Sequence, residues 1–163
     1  MPASASCSFR SLEECALHFW LRRHRLRHLH LRQEHKNFDP PPFRGKLKPP
    51  DFLLHLKPSG VVAVEAKTSQ TRDSGDCYVL PIKEIGDSWS FERVSGILVW
   101  YAILSGGGER TTWSWIKLQD VVTEGIEVGC ESMVVPMKHF VQVETETDLE
   151  RLFQHIPLAR NVK

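Results

Sequence analysis

The chain has 163 residues, of which 41% are hydrophobic and 25% charged, a composition typical of one compact domain and unlike that of a disordered or fibrous protein. No stretch approaches the roughly 20 apolar residues of a membrane span, and the first ten residues lack the apolar core of a signal peptide, so we expect one intracellular, cytoplasmic domain over residues 1–163. Residues 1–48 hold ten Lys and Arg against four Asp and Glu, whereas the remainder holds eleven against sixteen, which predicts an anionic partner at the N-terminal side.

The first third of the chain predicts a helix, a strand and a long loop. Apolar residues recur at spacings of three and four from Ser8 to about Arg23, which indicates a helix with Ser8 capping its first turn. From Leu26 to Gln33 the spacing changes to alternation, as on a strand. Five prolines and a glycine follow within residues 39–50, and there we expect an extended loop.

Two apolar stretches joined by a Pro-Ser-Gly turn predict a β-hairpin from Pro50 to Lys67. A short helix capped by Asp87 or Ser88 comes next, followed by a strand over Ile97–Leu104 that is apolar on both faces and therefore central. Residues 111–118 complete a second hairpin with that strand.

The last part of the chain predicts a brief helix in LQDVVTEG, an edge strand interrupted by Pro136 in SMVVPMKHFVQV, and a terminal helix in TDLERLFQHI. Trp100 is expected in the core, whereas an interface role for Trp113 and Trp115 stays open. The whole order of elements predicts an α/β or α+β domain whose mixed sheet is flanked by helices.

Strand alternation separates charged from apolar residues in the first hairpin. With Gly60 in the left-handed position of a three-residue turn, Asp51 is expected across from Lys67, and Glu65 lies one diagonal step away. All three charges then meet at one end of one face. The opposite face is apolar and consists of Phe52, Leu54, Leu56, Val62, Val64 and Ala66.

This trio has the groups needed for metal-assisted phosphodiester hydrolysis. Converging carboxylates such as those of Asp51 and Glu65 repel each other unless a cation lies between them, and hard oxygen ligands with a partly open shell suit Mg²⁺ or Mn²⁺. A neighbouring lysine, here Lys67, orients or deprotonates an attacking water, or neutralises charge on a phosphate.

The N-terminal helix offers one more carboxylate. At 100° per residue, Glu13 falls on the apolar side between Leu17 and Trp20, whereas Glu14 points toward Arg10 and solvent. Because a buried carboxylate costs several kcal/mol unless it finds a cation or hydrogen bonds, Glu13 is the predicted fourth site residue.

These residues resemble a known family. Pro50-Asp51, thirteen intervening residues and then Glu65-Ala66-Lys67, preceded by a helix that bears a carboxylate, resemble the PD-(D/E)xK nuclease superfamily. The order of a helix with SLEE, a PDF strand, EAKTS, PI and FERVSGILVWYAI is similar to that of Holliday-junction resolvases of the archaeal and RecU-like kinds. The resemblance covers roughly residues 8–118.

The resemblance implies an α/β, restriction-endonuclease-like core with a mixed central sheet flanked by helices. It implies that Asp51 and Glu65 are metal ligands, that Lys67 is the catalytic lysine, and that Glu13 is the helix carboxylate. It also implies two Mg²⁺ or Mn²⁺ ions per active site, and a homodimer that makes paired nicks in four-way DNA junctions. The proline-rich insertion and the tail after Leu118 match nothing in that family.

Basic residues on and after the first helix are candidates for contacts with DNA phosphates, which would make binding strongly salt-dependent. The alternative, a solvated helix end and edge strand, stays open. The candidates are Arg22, Arg23, Arg25, Arg27, Arg32, Lys36, Lys46 and Lys48.

Other site chemistries find less support. The four cysteines show no C-x-x-C pair and no histidine at zinc spacing, so neither a disulfide frame nor a zinc site is predicted. No acidic or cysteine partner completes a tetrahedral set with the histidines at 24, 28, 30 and 35, which predicts phosphate contact or exposure for them. Two alternative functions remain: a related restriction or repair nuclease acting on duplex DNA, and a non-catalytic DNA-binding module whose hairpin charges form surface pairs.

Overall fold

The computed structural model describes residues 9–31, 48–56, 60–71, 75–105 and 112–144. Within these ranges the elements are α1 Leu12–Arg23, β1 Arg27–His30, β2 Phe52–Leu56, β3 Gly60–Thr68, β4 Cys77–Pro81, α2 Ile82–Ser95, β5 Val99–Ser105, β6 Thr112–Lys117, α3 Leu118–Glu124, β7 Ile126–Val128, β8 Ser132–Pro136 and β9 Val141–Glu144. Most of the predicted loop 39–50 and the predicted terminal helix lie outside the described residues, as do Arg32, Lys36 and Lys46. No helix within these ranges is long and apolar enough to cross a membrane.

A six-stranded mixed sheet in the order β1-β2-β3-β5-β6-β9 forms the centre of the fold. β3 and β5 are parallel, and the other neighbouring pairs are antiparallel. A parallel pair needs a long crossover connection, and here that connection contains β4 and α2. The predicted mixed sheet flanked by helices is confirmed.

Two apolar cores lie on the two faces of this sheet. On one face, Leu17, Trp20 and Leu21 of α1 pack with Phe52, Leu54, Val62, Val64, Ala66, Trp100, Trp113 and Trp115. On the other face, the core includes residues from α2, α3 and the second sheet together with Ala63, Tyr101, Ile103 and Ile116. The three tryptophans that the strands contribute to the first core, Trp100, Trp113 and Trp115, are at most 2% exposed. The structure therefore places Trp113 and Trp115 in the interior and confirms Trp100 as a core residue.

Helix α1 is shorter than the sequence periodicity predicts. It begins at Leu12, and its cap is Ser11, whose side chain accepts the Glu14 N–H. The predicted cap, Ser8, lies outside the described residues. A serine followed three residues later by a glutamate is a capping-box sequence, which stops the helix from extending further toward the N-terminus.

The β2–β3 hairpin keeps the predicted strand parity but not the predicted register. Leu56 pairs with Gly60 and Phe52 with Val64, so the register is shifted by two residues from the one expected. Gly60 has the predicted positive φ, at 92°, but it already belongs to β3. Continued by one residue, the observed register brings Asp51 opposite Glu65 instead of Lys67.

Two predictions for the second half of the chain are wrong. Helix α2 begins at Ile82 after Pro81, with no side-chain cap, so Asp87 and Ser88 lie within it. SMVVPMKHFVQV forms two strands: β8 is the middle strand of a second sheet, in the order β4-β8-β7, and β9 is an edge strand of the central one. Because a proline has no N–H for a sheet ladder, β8 ends at Pro136 and the chain changes sheets.

Candidate active site

Two carboxylates of the predicted trio are buried side by side. Asp51 comes just before β2 and is 6% exposed, and Glu65 lies in β3 and is 4% exposed. The Asp51 side chain is held by the partner strand, because its Oδ2 accepts the Ala66 N–H at 2.9 Å. The hairpin backbone therefore orients this carboxylate directly.

Burial dominates the electrostatics of this pair. Burial raises the pKa of Glu65 to about 8, and the neighbouring Asp51 carboxylate adds to that rise. Burial also raises the pKa of Asp51. The Ala66 N–H and Lys67 lower the pKa of Asp51 in part, whereas the charge of Glu14 raises it further. Two buried acids with raised pKa values mark a site where a cation would be strongly stabilising.

Lys67 connects the two strand carboxylates to helix α2. Its Nζ lies 3.7 Å from Glu65 Oε2 and 2.7 Å from Glu84 Oε2. Burial alone would lower the pKa of Lys67, but Glu65 and Glu84 raise it above its ordinary value, so the ammonium form is stabilised. No periodicity in the sequence indicates Glu84, because α2 reaches the site only through the crossover between β3 and β5.

Lys48 was predicted only as a DNA contact, but the structure places it beside Glu65. Its Nζ is 3.9 Å from Glu65 Oε2, and its side chain is 31% exposed. Glu65 Oε2 is itself buried and receives no hydrogen bond from the described residues. The ammonium groups of Lys48 and Lys67 therefore lie 3.9 and 3.7 Å from the Glu65 oxygen that we expect to bind a metal ion.

The predicted placement of Glu13 is wrong, and Glu14 is the buried helix carboxylate. Glu14 is 7% exposed and its charge raises the pKa of Asp51, whereas Glu13 is only half-buried. Leu12 and Phe19 are among the apolar residues whose spacing predicts the buried face of this helix, yet they are 75% and 57% exposed. Without these two residues, the buried face of α1 consists of Leu17, Trp20 and Leu21, and Glu14 lies on that face. The capping box that starts at Ser11 was the sequence signal that could have identified Glu14.

The basic residues of the α1–β1 turn lie at the other end of the helix. Arg22, Arg23, Arg25 and Arg27 are all exposed, and Arg27 is opposite His55, far along β2 from Asp51. Arg22 follows Glu14 by eight residues, which corresponds to about 12 Å along a helix axis. The structure gathers them near one another but apart from the carboxylates, and their contact with DNA stays a prediction.

Oxygen ligands suit a divalent cation here, but the protein does not enclose one. Within the described ranges, no three His, Cys, Asp or Glu side chains are grouped closely enough to hold a metal ion alone. Mg²⁺ commonly keeps several waters and takes only one or two carboxylates from the protein. Asp51 and Glu65, with the buried and unsatisfied Glu65 Oε2, fit such an open site.

Comparison with known proteins supports the fold. No family model matches the chain, and no curated protein matches its sequence. Its structure is similar to that of Hjc, a Holliday junction resolvase from the archaeal hyperthermophile Archaeoglobus fulgidus, with a TM-score of 0.52 and 12% identity over 80% of this chain and 95% of that one. At this identity the likeness shows the fold alone, an α/β domain with a central mixed sheet flanked by helices.

Proposed function

We propose that this protein is a divalent-metal-dependent DNA endonuclease, and that its substrate is a four-way DNA junction cut by a homodimer. The observation that carries the proposal is the convergence of Asp51, Glu65 and Lys67 at one end of the sheet, with both carboxylates buried. The junction is proposed because the fold is similar to that of Hjc, a Holliday junction resolvase, and the dimer is proposed because the sequence resemblance to such resolvases implies one.

In this proposal Asp51 and Glu65 hold Mg²⁺ or Mn²⁺, with two ions per site, and Glu14 takes the part predicted for Glu13. A bound divalent cation supplies Lewis-acid polarisation of a phosphate oxygen and lowers the pKa of a water. Lys67 keeps its charge because of Glu65 and Glu84. It orients the attacking water or neutralises charge that develops on the phosphate.

The experiment compares a labelled synthetic four-way junction with a plain duplex of the same sequence, each with Mg²⁺ and with EDTA. Symmetric paired nicks in the junction support the proposal. Cuts in the duplex favour a restriction or repair nuclease instead. Binding with no cut in either substrate indicates a non-catalytic module and overturns the proposal.

The variants Asp51→Asn and Glu65→Gln keep the size of each side chain, and an asparagine at 51 can still accept the Ala66 N–H. We expect each to lower the cleavage rate by at least about 10³-fold, since metal-based charge stabilisation is worth several kcal/mol. Junction binding should remain within a few-fold of wild type. Glu127→Gln, which changes an exposed carboxylate on β7 in the second sheet, is the matched control. Nicking that survives in either site variant would sink the assignment.

A further inference from the structure

The buried carboxylate of Glu14 has a hydrogen-bond partner outside the trio of Asp51, Glu65 and Lys67. His30, the last residue of β1, places its Nε2 3.0 Å from Glu14 Oε2. A carboxylate oxygen accepts and does not donate, so Nε2 is the donor in this bond. The same oxygen also accepts the Arg10 N–H, at a longer 3.4 Å. His30 is thus the shorter of these two contacts of Glu14.

The ring of His30 packs against two aromatic rings. Its centroid lies 4.7 Å from that of Phe9 and 4.9 Å from that of Phe52, and its side chain is only 16% exposed. A mostly buried imidazole that contacts two aromatic rings has few rotamers available, so the direction of its Nε2–H is defined before any ligand arrives.

The backbone of β1 ties His30 to the strand that positions Asp51. His30 pairs with Phe52, the residue after Asp51, and the next amide, Leu31 N–H, donates to the Asp51 carbonyl at 2.8 Å. Glu14 is close enough to raise the pKa of Asp51. A contact between His30 and Glu14 therefore fixes a helix carboxylate relative to a strand carboxylate.

We propose that His30 is a positioning residue of the active site, holding the Glu14 carboxylate beside Asp51 so that both are preorganised for a divalent cation. The inference rests on the proposed function and deepens it. Partners that hydrogen-bond to a ligating carboxylate orient it, and their loss typically lowers metal affinity or activity by roughly 10- to 100-fold.

The competing explanation is that His30 and Glu14 form a stabilising pair at a helix start and nothing more. Glu14 occupies the third position after the cap Ser11, where a glutamate side chain usually turns back to a backbone N–H. That role needs the Arg10 contact and does not need His30. A purely structural pair would change the unfolding temperature and leave metal affinity alone.

The chain offers a matched control two residues earlier. His28 lies on the same face of β1, but its Nε2 is paired with His18 Nδ1 at 2.9 Å and its Nδ1 donates to the Leu26 carbonyl at 2.8 Å. Replacing His28 removes an equally sized imidazole from the same strand without removing a donor to Glu14.

The test titrates Mn²⁺ into DNA-free protein by calorimetry, with thermal unfolding of each variant recorded with and without the ion. We expect His30→Leu to weaken Mn²⁺ binding by roughly 10- to 100-fold, and His30→Gln, which keeps an N–H donor, to recover most of that affinity. His28→Leu should bind as wild type does. Junction cleavage measured against Mn²⁺ concentration should shift in the same order.

The outcomes separate the two proposals. If wild type binds Mn²⁺ and Asp51→Asn does not, but His30→Leu binds as tightly as wild type, the inference fails and the proposed function stands. Equal weakening by His28→Leu and His30→Leu assigns both to strand stability and also overturns the inference. If wild-type protein binds no Mn²⁺, both proposals fall.

Discussion

Charged side chains lie at both ends of α1, in very different surroundings. Near its start, Asp51 and Glu65 are 6% and 4% exposed, and both have raised pKa values. At its end, the arginines from Arg22 to Arg27 are exposed. Burying a charged carboxylate costs several kcal/mol, whereas an exposed arginine costs almost nothing.

This difference favours the buried acids over the exposed arginines as the candidate active site. A cluster of buried acids survives in a fold when something other than stability keeps it, and perturbed acids in contact with a lysine are a common mark of an active site. Exposed basic residues carry no such cost, so their presence alone says little about function. Three experiments bear on this contrast, from the largest expected effect to the smallest.

The largest expected effect is on the free energy of unfolding, which the buried charge of Glu65 lowers. Glu65 has a pKa of about 8 in the fold against an ordinary 4.5, so its favourable contribution is fully present below pH 4.5 and is lost as the pH rises through about 8. In metal-free protein at about pH 9, we expect Glu65→Gln to raise the free energy of unfolding by roughly 2 to 4 kcal/mol. Urea denaturation in EDTA across this pH range measures it.

The control for this experiment is Glu127→Gln, an exposed substitution that should change stability by no more than about 0.5 kcal/mol at any pH. The difference between wild type and Glu65→Gln should shrink toward acid pH, where both side chains are neutral. A difference that does not change with pH would contradict a buried Glu65 carboxyl group with a raised pKa.

The second effect concerns the lysine that joins both parts of the site. Glu84→Gln removes the 2.7 Å ion pair with Lys67, which frees the ammonium group to move and lowers the pKa of Lys67. We expect single-turnover cleavage to slow roughly tenfold, because small misplacements of a catalytic group are costly. DNA affinity should change little.

Asp87→Asn is the matched control, because Asp87 lies on the same helix and forms no ion pair with Lys67 within the described residues. Cleavage by this variant should equal that of wild type. Should Glu84→Gln also cut at the wild-type rate, Glu65 alone would be sufficient to orient Lys67.

The smallest effect concerns the exposed end. Arg22→Gln and Arg27→Gln should each weaken DNA binding only a few-fold and reduce the slope of log affinity against log salt by about 0.9. The cleavage rate at saturating DNA should stay unchanged. Lys138→Gln, an exposed lysine after β8, serves as the control, and an equal loss of affinity there would remove any special role from the α1–β1 turn.

Local pattern gave a correct account of several elements. The second hairpin of β5 and β6, the brief helix α3 and the grouping of Asp51, Glu65 and Lys67 toward one end of β2 and β3 all follow from strand or helix periodicity. The predictions were wrong where the local pattern allowed more than one orientation of the same residues. Helix α1 has apolar residues on more than one side, so its buried face depended on which of them met the sheet.

The sequence by itself determined that two carboxylates and a lysine would share a strand face, because side chains alternate on any strand whatever its neighbours are. Only the tertiary structure decided the hairpin register and which of Glu13 and Glu14 is buried. It also decided that Glu84 contacts Lys67, that Lys48 lies near Glu65, and that His30 contacts Glu14. The physical reason is that these contacts join segments far apart in the chain, and their geometry is set by packing on both faces of the sheet, which no local period encodes.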